Sequence, residues 1–425
     1  MKLLALAALV ASTLPLGAAA GNGLNLLGFG AESVAMGGAD TAVARDTTAL
    51  NTNPAGLAQV PRPAFDAYLA AAYALGVGHA DSLGNDRQVG NKLIAVGGFG
   101  LSRPSANGRL VGAIGFFAQG GAGAVYKGLR TPFGGTDELS AQIGFARITP
   151  GIAWRVSDSL TLGAAAPLNI IIARQRVFPD TSVLHPSDPA QSFFGLALDD
   201  ARGVRLGLRL RARWKPTADW SFGATFSSKA KLDAKGGTAD VNLSAAGLGV
   251  VAYREARIEG FALAREIAVG AAWQASPRTL LSLKLAHLDW SDALRSVTVT
   301  LTEPSVAAAP PRISQTSWIG WRDQVVIAAG LAHSLSDRLT AYAGFNHARS
   351  PAPSETLTPL LAAIAERHVT GGLAWRVAEG WVASGAFEYQ LDKRVRYSNP
   401  SSPLGTNAEE RSRYIAIHCM LGRRW

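Results

Sequence analysis

The chain has 425 residues, of which 48% are hydrophobic and only 17% charged, with 41 Lys+Arg against 31 Asp+Glu for a net charge of +10. Charged residues make up about 25% of a typical soluble protein, so the low charge excludes a disordered chain, which needs high charge and few apolar residues. The single cysteine excludes an internal disulfide framework and a Cys-rich zinc site, and no uninterrupted apolar run reaches the roughly 18 residues of a membrane helix.

Met1-Lys2 precede an apolar run from Leu3 to Leu14, followed by Pro15 and Ala18-Ala19-Ala20. A basic start, a short apolar middle and a small-residue end make a secretory signal peptide. Residues 1–20 are expected to be removed, leaving Gly21 as the first residue and, with Lys2 gone, lowering the charge of +10 by one. Residues 21–62 are Gly-rich and alternate poorly, with Gly28, Gly30, Gly37 and Gly38, then Asp46-Thr47-Thr48-Ala49-Leu50 and Asn53-Pro54-Ala55-Gly56-Leu57. Asp or Thr ahead of a short apolar stretch, then Asn-Pro, predicts small helical turns broken by prolines. Such a segment is long enough to plug a barrel; a loose extension is the competing reading.

Past residue 62 the period is two, the strand signature. From Val204 to Trp214 every even position is apolar, and Arg205, Arg209, Arg211 and Arg213 occupy odd ones. A strand places these sets on opposite faces. Leu281 to Leu285, Val325 to Leu331 and Trp381 to Leu391 repeat the pattern. Short polar connections at 102–108, 156–159, 215–219, 275–278, 334–338 and 376–380 alternate with longer Pro/Gly/Ser-rich ones at 78–89, 120–138, 176–202, 229–260, 292–321, 350–365 and 396–410. That alternation predicts an all-β fold: a transmembrane antiparallel barrel of about 14 strands over residues 63–425, with short periplasmic turns and long extracellular loops. Closure also satisfies backbone groups that lipid cannot.

The final strand carries Ile415, Ile417, Cys419, Leu421, Arg423 and Trp425 on one face, which places Cys419 against hydrocarbon. Trp154, Trp214, Trp273, Trp290, Trp375 and Trp381 lie near strand ends, where an aromatic belt is expected. The arginine row faces the lumen in this reading. Arg205, Arg209, Arg211 and Arg213 either attract a carboxylate there, which arginine grips bidentately, or pair with Glu32, Asp40, Asp46, Glu388 and Asp392.

Ser33-Val34-Ala35-Met36-Gly37-Gly38-Ala39, Asp46 and Asn53-Pro54-Ala55-Gly56-Leu57, soon after a signal peptide, resemble the hatch of the FadL family of outer-membrane transporters for long-chain fatty acids and other hydrophobic compounds. Weaker matches follow in order, at Ile148 to Trp154, Ser221 to Lys229, Asp289-Trp290-Ser291, Ser350 to Pro353 and Glu366-Arg367-His368. The resemblance implies a fourteen-stranded barrel with residues 21–62 as a hatch in the lumen. It further implies an outer groove among the loops, an interior pocket and a kinked third strand that lets the ligand leave sideways. The candidates here are Phe193, Phe194, Leu196, Leu243 and Leu248 for the groove, Gly112 and Gly115 for the kink, and Gly21, Asn22, Gly23 and Leu24 for hatch movement.

No G-x-S-x-G, H-E-x-x-H, P-loop or paired-Cys spacing is present. Ser282 and His287 have opposite strand parity, which disfavours an outer-membrane lipid hydrolase. A general porin is a further alternative. The expected partners are a fatty acid or an aromatic or alkane hydrocarbon, with outer-membrane lipid and lipopolysaccharide around a monomer. Cofactor, metal and nucleic acid are not expected, since the positive charge is spread over many strands.

Overall fold

Fourteen alternating strands close on themselves in the computed structural model, which describes residues 21–425; the expected signal peptide, 1–20, lies outside them. The strands are Ala64–Ala74, Leu93–Pro104, Leu110–Arg130, Thr136–Arg155, an interrupted fifth (Leu160–Ala165, Leu168–Val183), an interrupted sixth (Phe193–Leu206, Arg209–Trp214), and Trp220–Ser227. Glu266–Ser276, Thr279–Leu288, Gln324–Ser334, Leu339–Ala348, Arg367–Ala378, Trp381–Tyr397 and Ala408–Arg424 complete the barrel. The first pairs with the last in unbroken antiparallel register from Ala64↔Arg424 to Ala74↔Tyr414, so the sheet has no edge there.

The two faces follow the alternation. Leu206, Leu283 and Ile417 point outward and are exposed, and Cys419 is a free, exposed thiol on the same face as Ile417 and Leu421. Trp154, Trp214, Trp220, Trp273, Trp375, Trp381 and Trp425 are all exposed near the end that carries the short turns, an aromatic girdle on one rim. Trp290 departs from the expected belt. It is fully buried, edge-on to Trp321 at 5.2 Å, with its Nε1 donating to Gln324 Oε1 at 3.3 Å.

The short connections fall as expected, but several long ones are not loops. Strands three and four continue to Arg130 and Thr136, leaving only 131–135 as a turn where 120–138 was expected. Strand five runs to Val183 and strand six begins at Phe193. Besides the two-residue strand Ala230–Lys231, the connections at 229–260 and 292–321 hold four strands, Ala234–Asn242, Val250–Glu259, Ser296–Pro304 and Arg312–Trp318, which extend the sixth strand's sheet above the rim. Gly and Pro lower strand propensity and make these stretches read as loops in sequence, yet propensity gives way to context once a neighbouring strand supplies the ladder.

Residues 21–60 are packed into the lumen. A short helix (Ala31–Ala35) and two 3-10 turns (Thr47–Leu50, Pro54–Gln59) account for the predicted broken turns. On eight strands the wall residue facing this segment is a glycine: a methyl group at Gly100, Gly151, Gly163, Gly223, Gly270, Gly330, Gly344 or Gly372 would collide with atoms of residues 35–55. Close approach of two backbones is what the missing Cβ permits.

Candidate functional site

Asn53 starts the second 3-10 turn because its side chain can replace the missing helical acceptors. Its Oδ1 accepts from Ala55 N at 3.1 Å, while Nδ2 donates to Thr41 O at 2.5 Å and to Ala212 O of the wall at 3.5 Å. Pro54 and Ala55 lie directly against Gly163. The Asn53-Pro54-Ala55 motif therefore ties the lumenal segment to strands five and six. Wall side chains reinforce it: Ser282 Oγ, Asn346 Nδ2 and Thr370 Oγ1 donate to the carbonyls of Ala39, Gly37 and Ala35 at 2.7, 3.0 and 2.9 Å.

The first residues of the segment are held differently. Asn22 and Asn25 bond each other's backbone at 3.1–3.2 Å, and Leu26 N donates to Gln119 O at 3.3 Å. Gly21 sits against the His368 ring, Gly23 (φ 67°) against the Trp290 indole, and Leu24 in the apolar cluster beneath the outer strands. The Asn22 side-chain Oδ1 is buried with no partner.

Beside these residues lies a polar pocket lined by Asn51, Arg147, Arg209, Arg211, Glu266 and Lys284 among others. Strand alternation delivers the arginines: Val204, Leu206 and Leu210 face outward, so Arg209 and Arg211 face in and are buried. Arg209 donates to the Asn51 carbonyl and, at 3.0 Å, to its Oδ1; Arg147 donates to Asn169 Oδ1 at 2.5 Å. Arg211 Nη2 donates to Ser227 Oγ at 2.7 Å, but its Nε and Nη1 are buried without a partner. The row does not act as one group. Arg213 donates to Ala42 O at 3.2 Å, and Arg205 is exposed beyond the strand interruption. Among the described residues none of Glu32, Asp40, Asp46, Glu388 or Asp392 pairs with any of the four; Glu32 pairs with Arg45 instead.

A second, smaller and mainly apolar cavity is lined by Ala70, Ile94, Val96, Gly120 and Ala416, with Glu388 and His418 at its margin. Leu26, Leu27 and Gly28 line both cavities and so form the partition between them. The smaller one lies behind a break in the wall. Strands two and three pair from Pro104↔Val111 to Gly98↔Phe117 and then part. Contact resumes only where Gly90 N meets Val125 O at 2.7 Å, leaving 92–97 and 118–124 unpaired across the interval. The irregularity in strand three is therefore not at Gly112 or Gly115, whose register is unbroken toward both neighbours. The register with strand four shifts at Gln119–Gly120, where Gly120 takes φ 116° against the Leu24 carbonyl, and again between Tyr126 and Leu129. That backbone conformation suits glycine alone.

The expected groove residues do not line one groove. Phe193 stacks on Phe133 at 4.3 Å in one cluster, whereas Phe194, Leu196, Leu243 and Leu248 belong to another. Adjacent strand residues point to opposite faces, which separates Phe193 from Phe194. Ser282 and His287 are likewise on opposite faces, one buried and one exposed. Sequence reasoning missed Arg147, Glu266 and Lys284. The signal was there for Lys284, a cation alternating with Leu283 and Leu285 on a strand whose other face is exposed.

The family described as outer membrane protein transport protein (OMPP1/FadL/TodX) matches residues 8–417. The chain belongs to this family. No curated protein sequence matches it. Among solved structures it is similar to the toluene transporter TodX of Pseudomonas putida (19% identity, 95% of this chain and 100% of that one, TM-score 0.77). It is similar also to the toluene transporter TbuX of Ralstonia pickettii (20%, 94% and 99%, TM-score 0.75) and to a FadL homologue of Pseudomonas aeruginosa (15%, 94% and 98%, TM-score 0.72). As a FadL/TodX-type protein it is an outer-membrane β-barrel transporter of hydrophobic compounds, and its short turns are periplasmic.

Proposed function

We propose that this FadL-family barrel carries hydrophobic compounds with an acidic head group, long-chain fatty acids foremost, passively from its extracellular cap into the plane of the outer membrane. The observation that carries the reading is Arg211. Its guanidinium is buried with two nitrogens unpartnered, in a cavity where Arg147, Arg209, Arg211 and Lys284 outnumber Asp40 and Glu266. An unpaired buried charge is costly, and a carboxylate fits a guanidinium edge with two parallel hydrogen bonds. A neutral hydrocarbon offers nothing of the kind.

The apolar cavity behind Ile94 and Val96 would take the tail once residues 26–28, just after the hatch N-terminus at Gly21 to Leu24, shift from between the two spaces. Release through the break between strands two and three needs no ladder of hydrogen bonds to be broken, because 92–97 and 118–124 are already unpaired there. A second reading, uptake of monoaromatic hydrocarbons, is favoured by the likeness to proteins named toluene transporters.

Binding of oleate and of toluene by the native protein and by Arg211→Met separates the two. The proposal expects oleate affinity to fall tenfold or more, roughly the worth of one charged hydrogen bond, with toluene binding and melting temperature unchanged. Unaltered oleate binding by a folded variant rejects it.

A further inference from the structure

The net positive charge of this chain has a location. Each of the six periplasmic turns carries or adjoins an exposed cation: Arg109, Arg155, Lys215, Arg278, Arg338 and Arg376 in turn. Arg62, Arg103 and Arg423 add three more at the same rim. Among the described residues none of these nine enters an ion pair; Arg155 donates only to the Ala58 carbonyl, and Arg423 to the Glu379 carbonyl while lying 5.1 Å over the Trp381 ring. The side-chain carboxylates of this rim are Asp158, Asp219, Asp337 and Glu379, so its nine cationic side chains exceed its four acidic ones by five. Arg424 is excluded because Asp66 neutralises it at 2.8 Å.

Exposed charges that were merely solubilising would be mixed in sign, and periplasmic turns need none of one sign for their geometry. These cations also stand at a fixed depth. Trp154 precedes Arg155, Trp214 precedes Lys215 and Trp375 precedes Arg376, and all three indoles are exposed to the lipid side. Tryptophan girdles mark the level at which acyl chains give way to head groups, so the turns beyond them stand at the depth of the lipid phosphates, with Arg103 and Arg423 on the same outward strand face as Leu101 and Leu421. Basic residues near an anionic leaflet are drawn to its head groups.

We propose that the periplasmic rim is a cationic collar that gathers anionic glycerophospholipids of the inner leaflet around the barrel. The collar is independent of the lumenal cavity and of which cargo the barrel carries.

The test is lipid selectivity of the reconstituted full-length mature protein, measured with spin-labelled phosphatidylglycerol and phosphatidylcholine as boundary lipids. The native barrel is expected to prefer phosphatidylglycerol severalfold at low salt and to lose the preference in 1 M NaCl, where the Debye length is about 3 Å. Replacing Arg109, Arg155, Arg278, Arg338 and Arg376 by Gln should bring the ratio near one. Replacing Asp158, Asp219 and Asp337 by Asn and Glu379 by Gln should raise it, an opposite shift that misfolding would not give. Five exposed cations of the far side, Arg87, Arg254, Arg295, Arg312 and Arg349, serve as the control when changed to Gln. Equal selectivity in the collar variant and the native protein, or a loss in the far-side control as large as in the collar variant, overturns the proposal.

Discussion

The lumenal segment is held in two different ways along its length. Residues 35–55 press against wall glycines of eight strands and receive wall hydrogen bonds on their carbonyls. Residues 26–28 lie between two cavities, and the backbone tie of this stretch to strand three is the Leu26–Gln119 bond. The difference divides the plug into a clamp and a latch. A backbone-to-backbone clamp has no rotamers to relax, whereas a stretch with open space on both sides can move without unpacking the barrel.

The largest effect is expected from filling the clamp. Gly223→Val would drive a branched side chain into Thr41, and the clash cannot be relieved by a rotamer change. It should cost about 1–3 kcal/mol or more and appear as a lower melting temperature with steady conductance in planar bilayers. A closed, equally stable variant would break the clamp description. Asn53→Ala comes next: it removes the cap and leaves the Thr41 carbonyl without its donor, a loss of roughly 1–2 kcal/mol read by the same melting assay.

The latch predicts a contrasting pattern. Gly120→Ala should cost about 1–3 kcal/mol of backbone strain and raise hydrogen exchange of Leu26 without opening a steady conductance, because a methyl group there meets the Leu24 carbonyl beside the Leu26–Gln119 bond. Protection equal to the native value would place the latch elsewhere.

The smallest effect concerns the extracellular cap. His79 is buried between Glu410 (2.6 Å) and Asp81 (3.0 Å), with Tyr397 donating to Glu410 and the Tyr126 ring 6.1 Å away. Burial alone would lower the imidazole, but hydrogen bonds to and charges of the two carboxylates outweigh it and raise its pKa. The stabilisation is fully present below the unfolded value of about 6.5 and is lost as pH rises through the raised one. Proteolytic nicking of residues 81–85 should increase on going from pH 6 to pH 9, and His79→Gln should abolish the dependence.

How much of this the sequence revealed follows from what alternation records. Period two and the turn spacing expose the barrel, the lipid face around Cys419 and the inward Arg209 and Arg211, since facing is a matter of parity. Parity says nothing of depth or partnering. It could not tell that Arg205 lies beyond a strand break, that Trp290 packs inside, or that Gly120 rather than Gly112 or Gly115 carries the irregularity. Glycine illustrates the limit: Gly223 and Gly112 look alike in sequence, yet one meets the Thr41 carbonyl and the other meets nothing within 4 Å.

We propose that cargo leaves sideways past the latch while the clamp stays in place. A diazirine-bearing long-chain fatty acid, supplied to cells from outside and photolysed during uptake, tests it most directly. Labelled peptides are expected from 92–97 and 118–124, with residues 54–59 and the periplasmic turns unlabelled. Labelling concentrated on 54–59 and the periplasmic turns, with none at the break between strands two and three, would contradict it.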